Sequence, residues 1–255
     1  MRKSSLLAAV AISMPGLMGS AVAADLDVKA RPAPAFSWSS CYFGVHAGGG
    51  FASRDITDPV QLVQDNLIAP GTTTGVTTAH VSPSGAVIGG QLGCDYQFAP
   101  NWVAGIDGAA SGSTMKGSRT VGLPASLGDQ AAVSSRTDFL PSVTGRIGYA
   151  FDRTLIYGKA GVAWASSKYT VTGSLAGAPF DFEGFDTRGG WTVGAGVEWA
   201  FSRNWSINLE YDFYSFGNSS ALLTDNISGA SGQIDAKQNI QVIKAGLNFH
   251  MWSGW

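Results

Sequence analysis

The histidines and cysteines of this 255-residue chain are the side chains with the widest chemical range. Its three histidines, His46, His80 and His250, show no metal-ligand spacing, and neither a GxSxG nor an HExxH sequence surrounds them. Glycine-rich runs such as GVHAGGG lack a following helical pattern, so they do not indicate a phosphate-binding loop. We therefore predict that the chain is not an enzyme, that it has no catalytic or metal-binding residues, and that it binds no cofactor.

Cys41 and Cys94 are the only two cysteines, and they fall on adjacent predicted strands. Both share the parity of the apolar residues and lie toward the same end of their strands, so a cross-strand disulfide is geometrically feasible. An even number of cysteines in an exported chain favours pairing. Two unpaired thiols are the alternative.

Seven charged residues recur on the polar parity of the predicted strands, at similar depths from the short turns. They are Asp95, Asp107, Arg146, Lys159, Glu198, Glu210 and Lys244. If the strands close into a barrel, these residues form one layer of mixed sign in the lumen, where ions are tolerated when they are paired and hydrogen-bonded. Seven independent charges on a wet lumen wall are the alternative.

The elements that would position these residues are β-strands, because apolar and polar residues alternate through much of the chain. The clearest hairpin is GVEWAFSRNWSINLEY, residues 196–211, and similar hairpins occur at 93–107 and 148–161. The alternation predicts eight strands, at about 41–51, 85–98, 102–112, 136–151, 154–169, 191–201, 205–213 and 242–251. Long polar loops are predicted between them at 54–83, 113–135, 170–188 and 217–237.

The two faces of these strands differ in composition, and this difference distinguishes a soluble barrel from a membrane barrel. One face is rich in Trp, Phe, Leu and Ile, whereas the other consists largely of Gly, Ala, Ser and Thr with a few charges. An eight-stranded barrel is too narrow to enclose the aromatic face. With that face toward lipid, small residues fill the lumen and closure leaves no unpaired strand edge. The pattern therefore predicts an all-β, eight-stranded antiparallel up-and-down transmembrane β-barrel.

Aromatic residues concentrate beside the predicted short turns. They are Tyr96, Phe98, Trp102, Tyr149, Phe151, Trp199, Phe201 and Trp205. Aromatic girdles mark the interfaces of membrane barrels, so these residues are candidate anchors at the periplasmic interface. The general preference of strands for aromatic residues is the alternative explanation.

The charge balance excludes one class of partner. Only 13% of the residues are charged, the net charge is −2, and no run of lysines and arginines occurs. Nucleic-acid binding requires a basic patch, so we expect no nucleic-acid partner.

The N-terminus indicates export. Arg2 and Lys3 precede an apolar run, residues 6–18, and a small-residue cleavage site, residues 21–23. We predict a signal peptide at residues 1–23, with an N-terminal membrane anchor as the alternative. A flexible lead-in at residues 24–40 and an outer-membrane barrel at residues 41–255 would follow.

The segments CYFGVHAGGG, GGQLGCDYQFAPNWVAGIDG, VTGRIGYAFDRTLIYGKAGVAW and GGWTVGAGVEWAFSRNWSINLEYDFYSFG resemble the small outer-membrane β-barrel surface antigens of alphaproteobacteria. Members of this group, which have an OmpA-like barrel, are often labelled porin family proteins. The resemblance implies an eight-stranded barrel in the outer membrane, surface loops that act as antigens, and a role in envelope integrity. Haem binding is described for some of these relatives.

We therefore expect an exported outer-membrane protein with a structural or surface role and a largely plugged lumen. Two alternatives remain: a narrow porin-like channel for small solutes, or loops that bind haem, another external ligand or a host surface. His80 is the one histidine in a predicted loop. The expected partner is outer-membrane lipid, and the expected state is a monomer or weak oligomer.

Overall fold

The computed structural model describes residues 36–57, 78–122, 130–175, 178–227 and 231–251. The predicted signal peptide, residues 1–23, and most of the predicted lead-in, residues 24–40, lie outside these ranges. Within them, the strands are β1 (Ser40–Thr57), β2 (Thr78–Val81), β3 (Ser84–Gln97), β4 (Trp102–Gly122), β5 (Gln130–Phe151), β6 (Thr154–Leu175), β7 (Ala178–Ala200), β8 (Trp205–Asp225) and β9 (Ser231–His250). The described residues contain no helix with the length and hydropathy needed to span a membrane.

The strands close into a ring because β1 pairs with both β3 and β9. All neighbouring strands are antiparallel, and β3 to β9 follow one another in chain order. Short β2 continues the line of β3 along β1, and Pro83 separates the two because it has no N–H to donate to the ladder. The predicted all-β, eight-stranded up-and-down barrel is confirmed, with β2 as a short addition.

The long strands extend beyond the spans that the alternation predicts. For example, β6 and β7 remain paired from Thr154 and Trp199 at the short turn to Leu175 and Ala178. The predicted loops at 54–83, 113–135, 170–188 and 217–237 are wrong for most of their described residues, which lie in strands. A membrane strand needs only about 9–11 residues. Beyond the membrane both faces of the wall can be polar, so apolar alternation disappears although the hydrogen-bonded ladder continues.

Inward and outward residues alternate along each strand, as the two-residue period requires. Ile88, Leu92 and Ile106 are largely exposed on the outer face, whereas Gln91 and Asp107 are buried in the lumen. The apolar face is therefore on the outside, which is the arrangement of a membrane barrel.

Candidate functional site in the barrel lumen

A cap formed by the segment before β1 closes the short-turn end of the lumen. The backbone N–H of Trp38 donates to Oε1 of Gln97 at 2.9 Å, and its indole N–H donates to the carbonyl of Asp152 at 3.1 Å. Trp38 is buried against Leu155 and Tyr157, and Phe36 packs on its ring. Residues 36–40 have no alternating pattern, so this contact could not be predicted from the sequence.

The first ionic cluster surrounds Arg146 of β5. Its Nε donates to Oδ1 of Asp95 at 2.6 Å, its Nη2 also donates to Asp95, and its Nη1 donates to Oε2 of Glu198 at 3.2 Å. The guanidinium lies between the rings of Tyr42 and Tyr157, at 4.6 and 5.0 Å from their centroids. This arginine is thus paired with two carboxylates and enclosed by two aromatic rings.

Glu198 carries further hydrogen bonds that link β7 to β8 and β9. Its Oε1 accepts from Ser206 at 2.5 Å and from Asn248 at 2.9 Å, and lies 3.3 Å from Nε2 of His250. His250 also contacts the hydroxyl of Ser40 at 2.7 Å. His250 is therefore held inside a polar network.

The second ionic cluster contains two lysines. Nζ of Lys159 lies 2.7 Å from Glu210, 3.2 Å from Asp212 and 3.9 Å from Asp107. Nζ of Lys244 lies 3.0 Å from both Glu210 and Asp212. Each lysine thus has at least two carboxylates within ion-pair distance.

Two tyrosines join these clusters into one network, which we call the charge layer. Tyr42 donates to Asp107 at 2.9 Å and Tyr157 donates to Glu210 at 2.5 Å, while both rings contact Arg146. The charge layer contains all seven charges singled out in the sequence, each at most 6% exposed. Its members are Asp95, Asp107, Arg146, Lys159, Glu198, Glu210 and Lys244, together with Asp212.

Asp212 is the carboxylate that the sequence analysis missed. It has the same parity as Glu210 and lies one inward position farther from the short turn. Extending the inward pattern of β8 by that position identifies it.

Inward glycines make room for the charge layer. A Cβ at Gly105 would overlap Oδ1 of Asp95, and a Cβ at Gly194 would overlap Oδ1 of Asp212. Side chains at these two positions would displace the ion pairs. The glycine-rich polar parity of the strands therefore reflects a narrow lumen, in which larger side chains of neighbouring strands occupy the space above these glycines.

An apolar layer covers the charge layer on the loop side. It contains Met115, Leu140, Tyr214, Ile240 and Val242 with small neighbours, all of them buried. The inward residues of β9 show the order of the layers. Lys244, in the charge layer, lies nearer the short turns than Val242 and Ile240, which belong to the apolar layer.

A second polar group lies still farther from the short turns. Arg54 is fully buried; its Nη2 donates to Ser167 at 3.0 Å and to Thr137. Its guanidinium and that of Arg188 lie 5.3 and 5.5 Å from the ring of Tyr169. In the described residues, Arg54 has no ion pair, and its Nε and Nη1 have no hydrogen-bond partner. The sequence did not reveal this group because its two arginines, Arg54 and Arg188, lie in segments interpreted as loops.

The eight aromatic residues singled out beside the short turns lie on the outer surface, with exposures between 36% and 67%. Several contact each other: the rings of Trp102 and Tyr149, on adjacent strands, are 5.4 Å apart, and those of Tyr149 and Phe151, on the same strand, are 4.7 Å apart. They lie at one end of the exposed apolar face, and their role as anchors at the periplasmic interface stays a prediction.

A disulfide joins Cys41 and Cys94, which are directly opposite each other on β1 and β3. Asp95, the partner of Arg146, follows Cys94 on the inward parity. The cross-link therefore fixes two strands beside the charge layer.

In the part of the chain that the structure describes, no group of three or more His, Cys, Asp or Glu side chains is placed so that it could hold a metal ion. His80 pairs with Asp55 near the loop end, and both side chains are about half exposed. His46 points into the lumen and contacts Gln91 at 3.1 Å and Ser111 at 2.8 Å.

Comparison with known proteins identifies the family. The sequence model of the protein family described as outer membrane protein beta-barrel domain matches residues 28–250 of this chain. The chain is 29% identical over 257 residues to the 31 kDa outer-membrane immunogenic proteins of Brucella melitensis and Brucella suis, covering 97% of this chain and 99% of each relative.

Among solved structures, the outer membrane protease OmpT from Escherichia coli aligns with a TM-score of 0.52 at 10% identity, covering 86% of this chain and 99% of OmpT. At that identity the likeness concerns the fold alone. Because the family match spans nearly the whole barrel, the chain belongs to the outer membrane protein β-barrel domain family and is, as predicted, a transmembrane protein of the outer membrane.

Proposed function

We propose that the protein is a structural, surface-exposed barrel of the outer membrane whose lumen is plugged by its own side chains. The observation that carries this proposal is the stacking of the Trp38 cap, the charge layer and the apolar layer along the lumen. The interior of an eight-stranded barrel is just wide enough for its side chains. Here that space is occupied at three successive heights by buried residues from several strands.

The ion pairs of the charge layer support the same conclusion. A solute that crosses the lumen has to separate buried charges that are bonded to one another, and breaking a buried pair costs about 3–5 kcal/mol. Arg146, Lys159 and Lys244 each contact two or more carboxylates. Spontaneous opening of the whole layer is therefore rare.

A surface role is supported by the length of the strands. β6 and β7 contain 22 and 23 residues, which is about 70 Å of strand at ~3.3 Å per residue. With a tilt of about 40°, such a strand rises roughly 50 Å, whereas the apolar band of a membrane barrel is about 25 Å tall. A large part of the wall thus projects from the membrane, where it can contact partners outside the cell. The Brucella relatives are named immunogenic proteins, which fits an exposed wall.

We also propose that the protein has no enzymatic activity. His46 and His250 are buried in the lumen and occupied by hydrogen bonds to Gln91, Ser40 and their neighbours. Neither histidine faces lipid or the external medium. The protease named among the structural neighbours shares only the fold at 10% identity, so it does not support transfer of activity.

Planar-bilayer conductance tests the plugged lumen. We expect purified, folded protein to give no stable openings under conditions in which a wide porin conducts. The variant Trp38→Ala is a matched control, because it removes the cap and leaves the charge and apolar layers in place. We expect this variant to give no stable openings either. Stable openings of uniform size in the wild type would contradict the proposal and favour a narrow channel, and openings only in Trp38→Ala would show that the cap alone closes the lumen.

A further inference from the structure

Three cations form a row on the outer face of the barrel. Lys116 of β4 lies directly opposite Arg136 of β5, which lies directly opposite Lys168 of β6. Lys116 and Arg136 are exposed, and Lys168 is half-buried. The chain has no run of basic residues, so this row arises only from the register of three strands.

The row lies at the loop end of the lipid-facing belt. Phe139 on β5 and Trp164 on β6 are the last large apolar residues of the outer face before Arg136 and Lys168. Phe185 lies opposite Lys168, whose Nζ is 5.0 Å from the ring centroid. In a bilayer that covers this apolar belt, the cations would lie where acyl chains end and lipid headgroups begin.

Like charges placed directly opposite each other on adjacent strands destabilise a sheet. Two carboxylates offset part of this repulsion, because Asp138 pairs with Arg136 and Glu183 pairs with Lys168. No ion pair to Lys116 is found within the described ranges. The row therefore keeps an excess of positive charge that an external anion would neutralise.

A row of hydroxyl groups runs parallel to the cations, two residues farther along each strand. Ser118 lies opposite Ser134, which lies opposite Thr170. The cations and hydroxyls together line a shallow pocket of about 650 Å³. Positive charges beside hydroxyl donors suit a group with several anionic oxygens, such as a phosphate.

We propose that this surface binds the phosphorylated headgroup of an outer-leaflet lipid. The cations and hydroxyls hold the phosphate oxygens, while Phe139 and Trp164 contact the acyl chains below. The apolar contact distinguishes a lipid from free phosphate, because free phosphate would contact only the cations and hydroxyls. Basic residues near an anionic membrane surface favour binding of anionic lipid, and the excess positive charge of the row supplies this preference.

The test compares three probes in neutral detergent: phosphorylated lipid A, the same lipid with its phosphates removed, and inorganic phosphate. Binding is followed by the rise in the unfolding temperature of the folded barrel. We expect phosphorylated lipid A to raise it most, with a smaller effect of the dephosphorylated lipid and little effect of phosphate alone.

The variant Lys116→Gln/Arg136→Gln should weaken binding of the phosphorylated lipid at least tenfold and leave binding of the dephosphorylated lipid unchanged. The matched control Arg203→Gln/Lys237→Gln removes two exposed cations elsewhere on the barrel and should bind as the wild type does. If the double variant folds poorly, Lys116→Gln alone carries the test, because Lys116 has no described ion pair to lose.

Equal binding of both lipids, or unchanged binding by the Lys116 and Arg136 variants, would overturn the proposal. An equal effect of inorganic phosphate would show an ion site without lipid selectivity and would also overturn it. None of these outcomes depends on whether the lumen conducts.

Discussion

The cations inside the barrel and those on its outer face are arranged in opposite ways. In the lumen, Arg146, Lys159 and Lys244 are almost fully buried, and each contacts at least two carboxylates. On the outer face, Lys116 and Arg136 stand side by side with like charge and are exposed. A charge that is withdrawn from water needs its counter-charge within the protein. A charge at the membrane surface can obtain that counter-charge from the surroundings.

The largest expected effect follows from removing an interior cation. Arg146→Met leaves the carboxylates of Asp95 and Glu198 buried without their cation, so the free energy of unfolding should fall by about 3–5 kcal/mol. Urea unfolding in detergent micelles, followed by heat-modifiable gel mobility, measures this change.

Asp138→Ala is the matched exterior control, because it removes the partner of the exposed Arg136. Exposed ion pairs contribute about 0–1 kcal/mol. If the two variants lost similar amounts of stability, the contrast between interior and exterior pairs would be wrong.

Removing the disulfide between Cys41 and Cys94 measures how much this covalent link on the outer face contributes to the stability of the barrel. Cys41→Ser/Cys94→Ser removes a cross-link that spans 53 residues of sequence, and the loss of such a link typically costs about 2–4 kcal/mol. We expect a lower unfolding temperature that matches that of the reduced wild type. A double variant as stable as the oxidised protein would mean that the backbone ladder and the charge layer hold β1 and β3 together without the disulfide.

Arg54 should give the smallest effect, although it is as deeply buried as Arg146. It has no carboxylate partner among the described residues, so Arg54→Met removes the desolvation cost of a buried charge without leaving a buried anion. We expect a change in unfolding free energy within about 1 kcal/mol of zero. A loss as large as that of Arg146→Met would show that a buried cation stabilises the barrel without a paired carboxylate.

Much of the membrane-embedded part could be predicted from the sequence, and little of the part beyond it. Alternation is visible where one face meets lipid, so the eight strands, the outward aromatics and the inward positions of residues such as Glu210 follow from parity. Arg54 and Arg188 were missed because their strand segments are polar on both faces. Trp38 was missed because it precedes the alternating pattern.

The row of Lys116, Arg136 and Lys168 shows a different limit of prediction from the sequence. These residues are far apart in the chain, and a β-bulge near Thr137 and Phe139 shifts the register between β5 and β6. A one-residue shift moves a side chain to the other face. Only the observed pairing shows that the three cations share one face and one height.

The charge swap at Glu210 and Lys244 tests the central claim most directly, namely that the lumen charges act as one paired layer. These residues lie directly opposite each other on β8 and β9, with Nζ of Lys244 3.0 Å from Oε2 of Glu210. Thermal unfolding in detergent should show a large loss of stability for Glu210→Lys and for Lys244→Glu. The double swap should recover a substantial part of that loss, since it restores opposite charges at the two positions. Losses that simply add, with no recovery in the double swap, would contradict the account.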